Sequence, residues 1–466
     1  MRKVTAYVLC ATLLASLTGC GGAGSGSGGA GSDNKDSAKG NTESGAAAGV
    51  ETSLASDNKD SEGSASQPVT ITFMNWGMAE NTTIPAFEAM IAAFNESHPD
   101  IQVESIAEAY NSYLDQTLIL NASKEMPDCL QVHNSMFSAM VSAGALADID
   151  SYIEEDVRKD FYGNLMDALN YDGRQLGLPW APSSEVLYCN MELLDKAGFD
   201  KVPDTMAELR DMAAAVTALG MDENGNTIYG LGLQTKAMDS SGFYFLPYLW
   251  NYGGDMCDEE GNITIYSPES MEAFDFVKGL VNDGITPVGQ EIKDLRNMFA
   301  NNQVAFIVDT AFGYAAIQNM AANREEFDAH TKLCAIPSDT GTPINFFIAH
   351  NLAVSQQSEH KEEAYTFIQW LSSAEAVEIY NTYSANIMPS RTSVEGLAYY
   401  SAPGNEYTQV YIEELPKARA LPEKFSGFKA SMLDIANALQ RIIINHEDTA
   451  SVVSDLEEQL KTDYVK

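Results

Sequence analysis

The pattern of apolar and polar positions changes character twice along the chain. Val4 to Leu17 is a mostly apolar run behind Arg2 and Lys3. At about 14 residues it is too short to span a bilayer and reads as a secretory signal. From Gly21 to Gln67 apolar periodicity vanishes. Beyond Pro68 it returns in two forms, one of period two and one near 3.6. Val69-Thr70-Ile71-Thr72-Phe73 alternates as a strand, Phe87, Met90, Ile91 and Phe94 mark one helix face, and Ile101-Gln102-Val103 begins a second strand. This order is a βαβ unit and predicts a parallel sheet. A helix through Tyr113, Leu114, Leu118 and Ile119, a strand Cys129-Leu130-Gln131-Val132 and a helix through Phe137, Met140 and Val141 extend it.

The stretch Gly177 to Gly198 predicts a change of body. Leu176-Gly177-Leu178 ends an apolar run at Pro179, and Glu185-Val186-Leu187-Tyr188-Cys189 reads as a buried strand. A helix with Leu193, Leu194 and Ala197 on one side follows, stopped by Gly198, and Thr205-Met206-Ala207-Glu208 is a capping box that opens another. Between them the spacing predicts an exposed Trp180 on a Pro-flanked loop, with packed elements on both sides, as a hinge requires. Further on, Ile228 to Leu233 is strand-like, Tyr244 to Tyr252 is rich in aromatic residues, and Ser267-Pro268-Glu269 is a helix start. Asp258 to Asn262 looks faintly like a calcium loop, but its ligand spacing and glycine position are wrong for one, so it reads as a hairpin turn.

Several of these stretches resemble one family. "LP…LYCNMELLDKAGFDKVPDTMAEL", Met126-Pro127-Asp128 before a strand, and Gly144-Ala145-Leu146 before an Asp-rich turn are similar to the family 1 extracellular solute-binding proteins, the carbohydrate-binding proteins of ABC importers. So are Asn351 to Ser355 with the helical stretch His360 to Leu371, and Met388-Pro389-Ser390-Arg391. Met298 to Phe306 is another match, with Asn302 where the family usually has Gly. Met206 replaces a usual Trp, and Cys189 separates Tyr188 from Asn190. The resemblance covers about residues 69–465. It implies an α/β, two-lobed periplasmic-binding-protein fold of type II, each lobe a mostly parallel sheet flanked by helices, joined by a three-segment hinge. The crossings fall near Pro179, Cys334 to Pro337 and Ser372 to Ala374. The lobes are then 68–178 plus 338–372 and 183–334 plus 375–466.

Composition and charge narrow the partners. Leu17-Thr18-Gly19-Cys20 looks like a bacterial lipobox, so 1–20 is expected to be a lipoprotein signal peptide with Cys20 as the lipid (palmitate) attachment. Residues 21–67 are Gly, Ser, Ala and charged residues, with Ser-Asp-Asn-Lys-Asp-Ser at 32–37 and again at 56–61. Such a linker reaches roughly 35–40 Å. Gly24, Gly26 and Gly29 spell a dinucleotide fingerprint, but no strand precedes them. The net charge of −39 sits almost wholly in the folded part and makes nucleic acid and anionic lipid poor partners. Cys129, Cys189, Cys257 and Cys334 are scattered, and no pairing follows from their spacing. Apolar runs around three of them favour buried free thiols.

In open α/β sheets ligands bind outside the carboxyl ends of the strands. Sugars ask for aromatic faces and for planar amides or carboxylates that pair with hydroxyls. Residues of those types near strand ends are Asn75, Trp76, His133, Asn134, Trp180, Ser183, Asp309, Phe312, Phe346 and His350, with Trp250 and Asp255 from the end of the aromatic stretch. Trp180 is expected on the cleft floor, stacking on a pyranose face. The alternative for each aromatic residue is core packing, and for His350 a structural role. With the resemblance, these residues point to a monomeric, lipid-anchored receptor on the outer face of the cytoplasmic membrane. It takes a sugar or oligosaccharide, docks on a permease, and needs no cofactor, metal or catalysis. A carbohydrate-active hydrolase, a binding protein for another solute and a surface adhesin are the rivals. The folded part carries no HExxH, GxSxG or P-loop sequence and no repeats.

Overall fold

A computed structural model describes residues 67–258, 260–384, 387–424 and 427–464. The signal segment, Cys20 and the linker up to residue 66 lie outside them. The described strands are β1 (Val69–Asn75), β2 (Ile101–Ala107), β3 (Cys129–His133), β4 (Asn170–Tyr171), β5 (Arg174–Gln175), β6 (Leu178–Asn190), β7 (Tyr229–Gly232), β8 (Val304–Thr310), β9 (Thr331–Cys334) and β10 (Phe347–Val354). β4 and β5 form a separate hairpin. The others pair in the order β2-β1-β3-β10-β6-β8-β7, with β9 also on β6. β1 is parallel to β2 and β3, and β7 is parallel to β8, as the βαβ pattern predicts. β6 and β10 run antiparallel to their neighbours because they carry the chain across and back.

β6 is the central element. All thirteen of its residues are buried. Leu178 to Ser184 pair with β10, and from Glu185 onward the strand pairs with β8. The crossing is therefore a change of partner inside one continuous strand, and not the loop expected at Pro179. Pro179 fits because it lies at a bulge in β6: consecutive His350 and Asn351 of β10 pair with Ala181 and Pro179, which leaves Trp180 as the extra residue, and a bulge tolerates a residue that cannot donate to the ladder. Trp180, the bulged residue, turns inward. It is 1% exposed, meets Phe87 and Tyr380 edge-on, and donates its indole N–H to Leu371 O at 3.0 Å.

The residues that carried the resemblance now have physical roles. Tyr188 packs in the core and donates to Thr310 O at 2.6 Å, with Tyr411 Oη equally close. Asn190 caps the helix Met191–Lys196 by accepting from Leu193 N. Asn302, in place of the family's Gly, has φ +54°, a left-handed turn that Gly adopts freely and Asn tolerates best among the rest. Its side chain accepts from Asn190 Nδ2 at 2.7 Å. Arg391 closes onto Asp160 at 2.7 Å. Burial alone would raise the Asp160 carboxyl, but bonds from Ser393, Thr392 and Arg391 hold it at about 2. Thr205 and Ser267 cap their helices as predicted. Asp258 accepts from Asn262 N beside a bridge between Cys257 and Ile263, so that segment is a hairpin turn.

The second crossing lies later than the expected Cys334 to Pro337: Asp339 N donates to Asn251 O and Ile344 N to Asn251 Oδ1, so the chain stays on the second half until it enters β10 at Phe347. The third does not lie at Ser372 to Ala374. Ser373 is only the cap between two helices, accepting from Ala376 N. The helix Ala374–Tyr383 stays on the first half, packed on Ile84–Ser97, with Tyr380 against Phe87 and Trp180. The chain crosses later. Asn164 donates to the carbonyls of Leu415 and Ala418, Arg419 N donates to Asn345 O, and Lys424 donates to the carbonyls of Asp167 and Asn170. The helix Phe428–Ile443 then packs on Asp239–Asn251, so closely that a Cβ on Gly242 would lie 2.1 Å from Met432 O. The boundary at 372 and 375 thus moves past residue 414.

Trp180→Ala is expected to cost about 3–5 kcal/mol of stability, the price of emptying a large buried aromatic site. Urea unfolding measures it, and a loss below about 1 kcal/mol would contradict the core placement.

Candidate functional site

A cavity of about 650 Å³ opens where elements of both halves face each other, within the range of small-ligand pockets. Tyr110, Asn111, Leu114 and Asp115 reach it from the helix Tyr110–Ser123, which starts just past the carboxyl end of β2. His133, Asn134, Ser135, Met136 and Ser138 come from the end of β3 and the helix Asn134–Ser142. Asp239, Ser240, Phe243 and Tyr244 come from the first turns of Asp239–Asn251. Phe346 and Ile348 lie on the second crossing, and Leu421, Glu423, Gly427, Phe428 and Lys429 on the third.

Three of the residues expected at a cleft are there: His133, Asn134 and Phe346. His133 caps its helix by accepting from Ser135 N through Nδ1. Asn134 spans the two halves, accepting from Ala349 N at 3.1 Å and donating to Glu423 Oε2 at 2.6 Å. Trp76, His350 and Phe312 stand one ring removed: Trp76 meets Tyr110 and His350 edge-on, and Phe312 stacks on His350 at 6.1 Å. Burial lowers His133 to about 4, and burial together with His133 lowers His350 to about 3, so both rings are neutral at pH 7.

The remaining expectations are corrected. Asn75 is fully buried and holds Met78 N, Phe73 O and Ser105 Oγ. Trp180 is core. Ser183 is fully buried and accepts from Ala311 N. Trp250 donates to Asp255, Asp255 accepts from Arg419 at 2.8 Å, and the Arg419 guanidinium lies 4.5 Å over the Trp250 ring, a brace for the third crossing. Asp309, 0% exposed, takes both arms of Arg296 at 2.6 and 2.8 Å. Gly313 leaves room for that carboxylate, since a Cβ there would lie 2.2 Å from it. Each is a polar or aromatic residue near a strand end that the fold spends on its own packing.

Sequence reasoning missed Tyr110, Asp115, Asp239, Phe243, Tyr244, Glu423, Phe428 and Lys429. Tyr110 could have been found, since it begins the helix after a strand. Tyr244 lies in the noted aromatic stretch, but at its opposite end from Trp250. Glu423 has no local signal. It reaches the cavity because the third crossing passes there. Burial raises its carboxyl to about 7 against the lowering effect of the Asn134 bond. Glu185, on β6 where the partner changes, was also missed. Neither of its carboxylate oxygens has a protein partner, and burial, then Asp309, push it well above the usual range.

Residues 80–378 match the family described as bacterial extracellular solute-binding protein. A binding protein of Brucella abortus (strain 2308) is 25% identical over 377 residues, covering 80% of this chain and 88% of that one. The sn-glycerol-3-phosphate-binding periplasmic protein of the same organism is 26% identical over 240 residues, covering 49% and 55%. The solved structure of the cyclic alpha-maltosyl-1,6-maltose binding protein from Arthrobacter globiformis superposes with a TM-score of 0.73 at 20% identity, covering 85% of this chain and 98% of that one. Such solved structures share the two-lobed periplasmic-binding-protein architecture.

Between its ordinary value of 4.5 and about 7, Glu423 keeps its proton in the folded chain and loses it in the unfolded one. Its contribution to stability is therefore complete below 4.5 and is lost as pH rises to about 7, at no more than about 1.4 kcal/mol per pH unit. His133 and His350 act in the opposite sense, since their lowered values remove stability as pH falls below 6.5. Glu423→Gln is expected to abolish the first slope and keep the second. Unfolding at a series of pH values tests this, and identical slopes in variant and wild type would show that Glu423 is not raised.

Proposed function

We propose, of a chain that belongs to the bacterial extracellular solute-binding protein family, that it is the lipid-anchored receptor of an ABC importer and binds a sugar or oligosaccharide in the cleft. The observation that carries the sugar reading is the lining of the cavity. Tyr110, Phe243, Tyr244 and Phe428 offer ring faces for the C–H patches of a pyranose, and Asn134, Asp115, Asp239 and Glu423 offer acceptors and an amide for its hydroxyls. The names of fold neighbours agree: one is a cyclic alpha-maltosyl-1,6-maltose binding protein, and another was solved with alpha-D-tagatose.

The Brucella relative named for sn-glycerol 3-phosphate suggests a second ligand class. The cavity speaks against it. Its lining holds one lysine, Lys429, which lies 3.7 Å from Asp239, together with three carboxylates. A phosphomonoester asks for several cations or a bidentate Arg, and this lining supplies neither.

Binding is proposed to close the halves about β6 and the two later crossings, and the closed form to dock on permease subunits. The family consists of binding proteins, and we propose no catalysis. The protein acts as a monomer, held to the outer face of the membrane by lipid on Cys20 alone, with the linker as tether.

A thermal-shift screen over neutral sugars and sn-glycerol 3-phosphate is expected to raise Tm with a sugar. Tyr244→Ala should then weaken binding of that sugar by about 2 kcal/mol or more, roughly thirtyfold in Kd by calorimetric titration. A shift only with the phosphoester, or unchanged affinity in the variant, would overturn the sugar reading of this cleft. For the anchor, Cys20→Ala should move the protein from the detergent phase to the medium or leave it unprocessed. Unaltered partitioning would rule the anchor out.

A further inference from the structure

Two thiols face each other on the strand that carries the first crossing. Cys189 lies on β6 and Cys334 ends β9. The register pairs Cys189 with Lys332 and Leu187 with Cys334, which makes the cysteines diagonal neighbours on one face of the antiparallel pair. Their Sγ atoms are 3.8 Å apart. Closing that gap to the roughly 2.05 Å of a disulfide asks for side-chain rotation and, for a diagonal pair, a local approach of the two strands. Among the described residues Cys129 and Cys257 have no such neighbour: Cys129 donates to Thr72 O, and Cys257 contacts Tyr464 Oη.

We propose that Cys189 and Cys334 are a redox-modifiable pair, which a small disulfide or an extracytoplasmic thiol–disulfide oxidoreductase converts to a disulfide joining β6 to β9. The order of events follows from access. Cys189 is fully buried, whereas Cys334 is half-buried, so the oxidant reaches Cys334 first. The Cys334 thiolate, its proton passed to solvent, attacks one sulfur of the oxidant RSSR. An S–S bond forms to Cys334 and RS⁻ leaves to take up a proton. Cys189, 3.8 Å away, then loses its proton, attacks the Cys334 sulfur and expels the second RS⁻. The two protein thiols are oxidised by two electrons in total, RSSR is reduced to two RSH, and no other reactant is needed. Burial, then the neighbouring thiol, push Cys189 well above the usual thiol range, which suits it to the resolving step and not the first attack.

The bond would tie the end of β9 to the strand that makes the first crossing. Both anchors lie on the same side of the partner change in β6, so the link stabilises that half without bridging the cleft. The family's extracellular setting is one where such bonds form and persist. The proposal is independent of which solute the cleft takes.

The test uses the purified full chain, reduced and then incubated with oxidised glutathione. Peptide mapping without reduction is expected to show a Cys189–Cys334 linked peptide. Alkylation should lose those two thiols, Cys129 and Cys257 should remain free, and Tm should rise by a few degrees. Cys334→Ser should give no linked peptide, and Cys189→Ala should stop at a Cys334–glutathione adduct; both are expected to fold, which circular dichroism checks. An intact, folded wild-type protein that keeps both thiols, or that accumulates the mixed disulfide without resolving it, would overturn the proposal.

Discussion

The structure depends on β6 remaining a paired strand while it changes partners. A buried peptide group without a partner costs on the order of 1–3 kcal/mol, so thirteen buried residues must find a ladder on each side of the crossing. β10 supplies it up to Ser184, and β8 and β9 supply it from Glu185 and Leu187 on. Motion between the halves must then bend one strand at its change of register and not swing a loose loop. The other two crossings lie alongside: Phe346 pairs with Arg419, and Arg419 is held by Asp255 under Trp250.

That constraint also places the cleft. Phe346 and Ile348 come from the second crossing, and Leu421, Glu423 and Phe428 from the third, so the cavity floor is built from the segments that join the halves. Asn134 adds a bond across it to Glu423. A solute seated there would touch both halves and the connections between them, and its contacts would favour one arrangement over another.

Local pattern made the βαβ unit and the helix caps legible, because each rests on neighbours in sequence. Tyr188, Asn190 and Asn302 were legible as motif residues, and the structure shows why: a core hydroxyl, a cap and a left-handed turn. Trp180 was misplaced because Pro179 and Pro182 look like loop signals, whereas both lie in a central strand and Trp180 is the bulged residue between Pro179 and Ala181. The third crossing was misplaced because Ser373 is a local helix break, whereas the later crossing is set by bonds to residues some 250 positions away. Much of the cleft was illegible for the same reason. Aromatic and polar residues near strand ends are numerous, and which of them line the cavity depends on how the halves meet. Asp309 and Trp250 have the right chemistry and are spent on Arg296 and Asp255. Glu423, with no motif around it, reaches the cavity.

Hydrogen exchange along β6 tests the account's central claim most directly. If the crossing is one paired strand, the amides of Ala181, Ser183, Ser184 and Glu185 should exchange as slowly as those of Leu187 to Asn190. Exchange in 181–185 at the rate of surface loops, with 187–190 still protected, would mean that the halves are joined by a flexible loop, and the account of the crossing would be wrong.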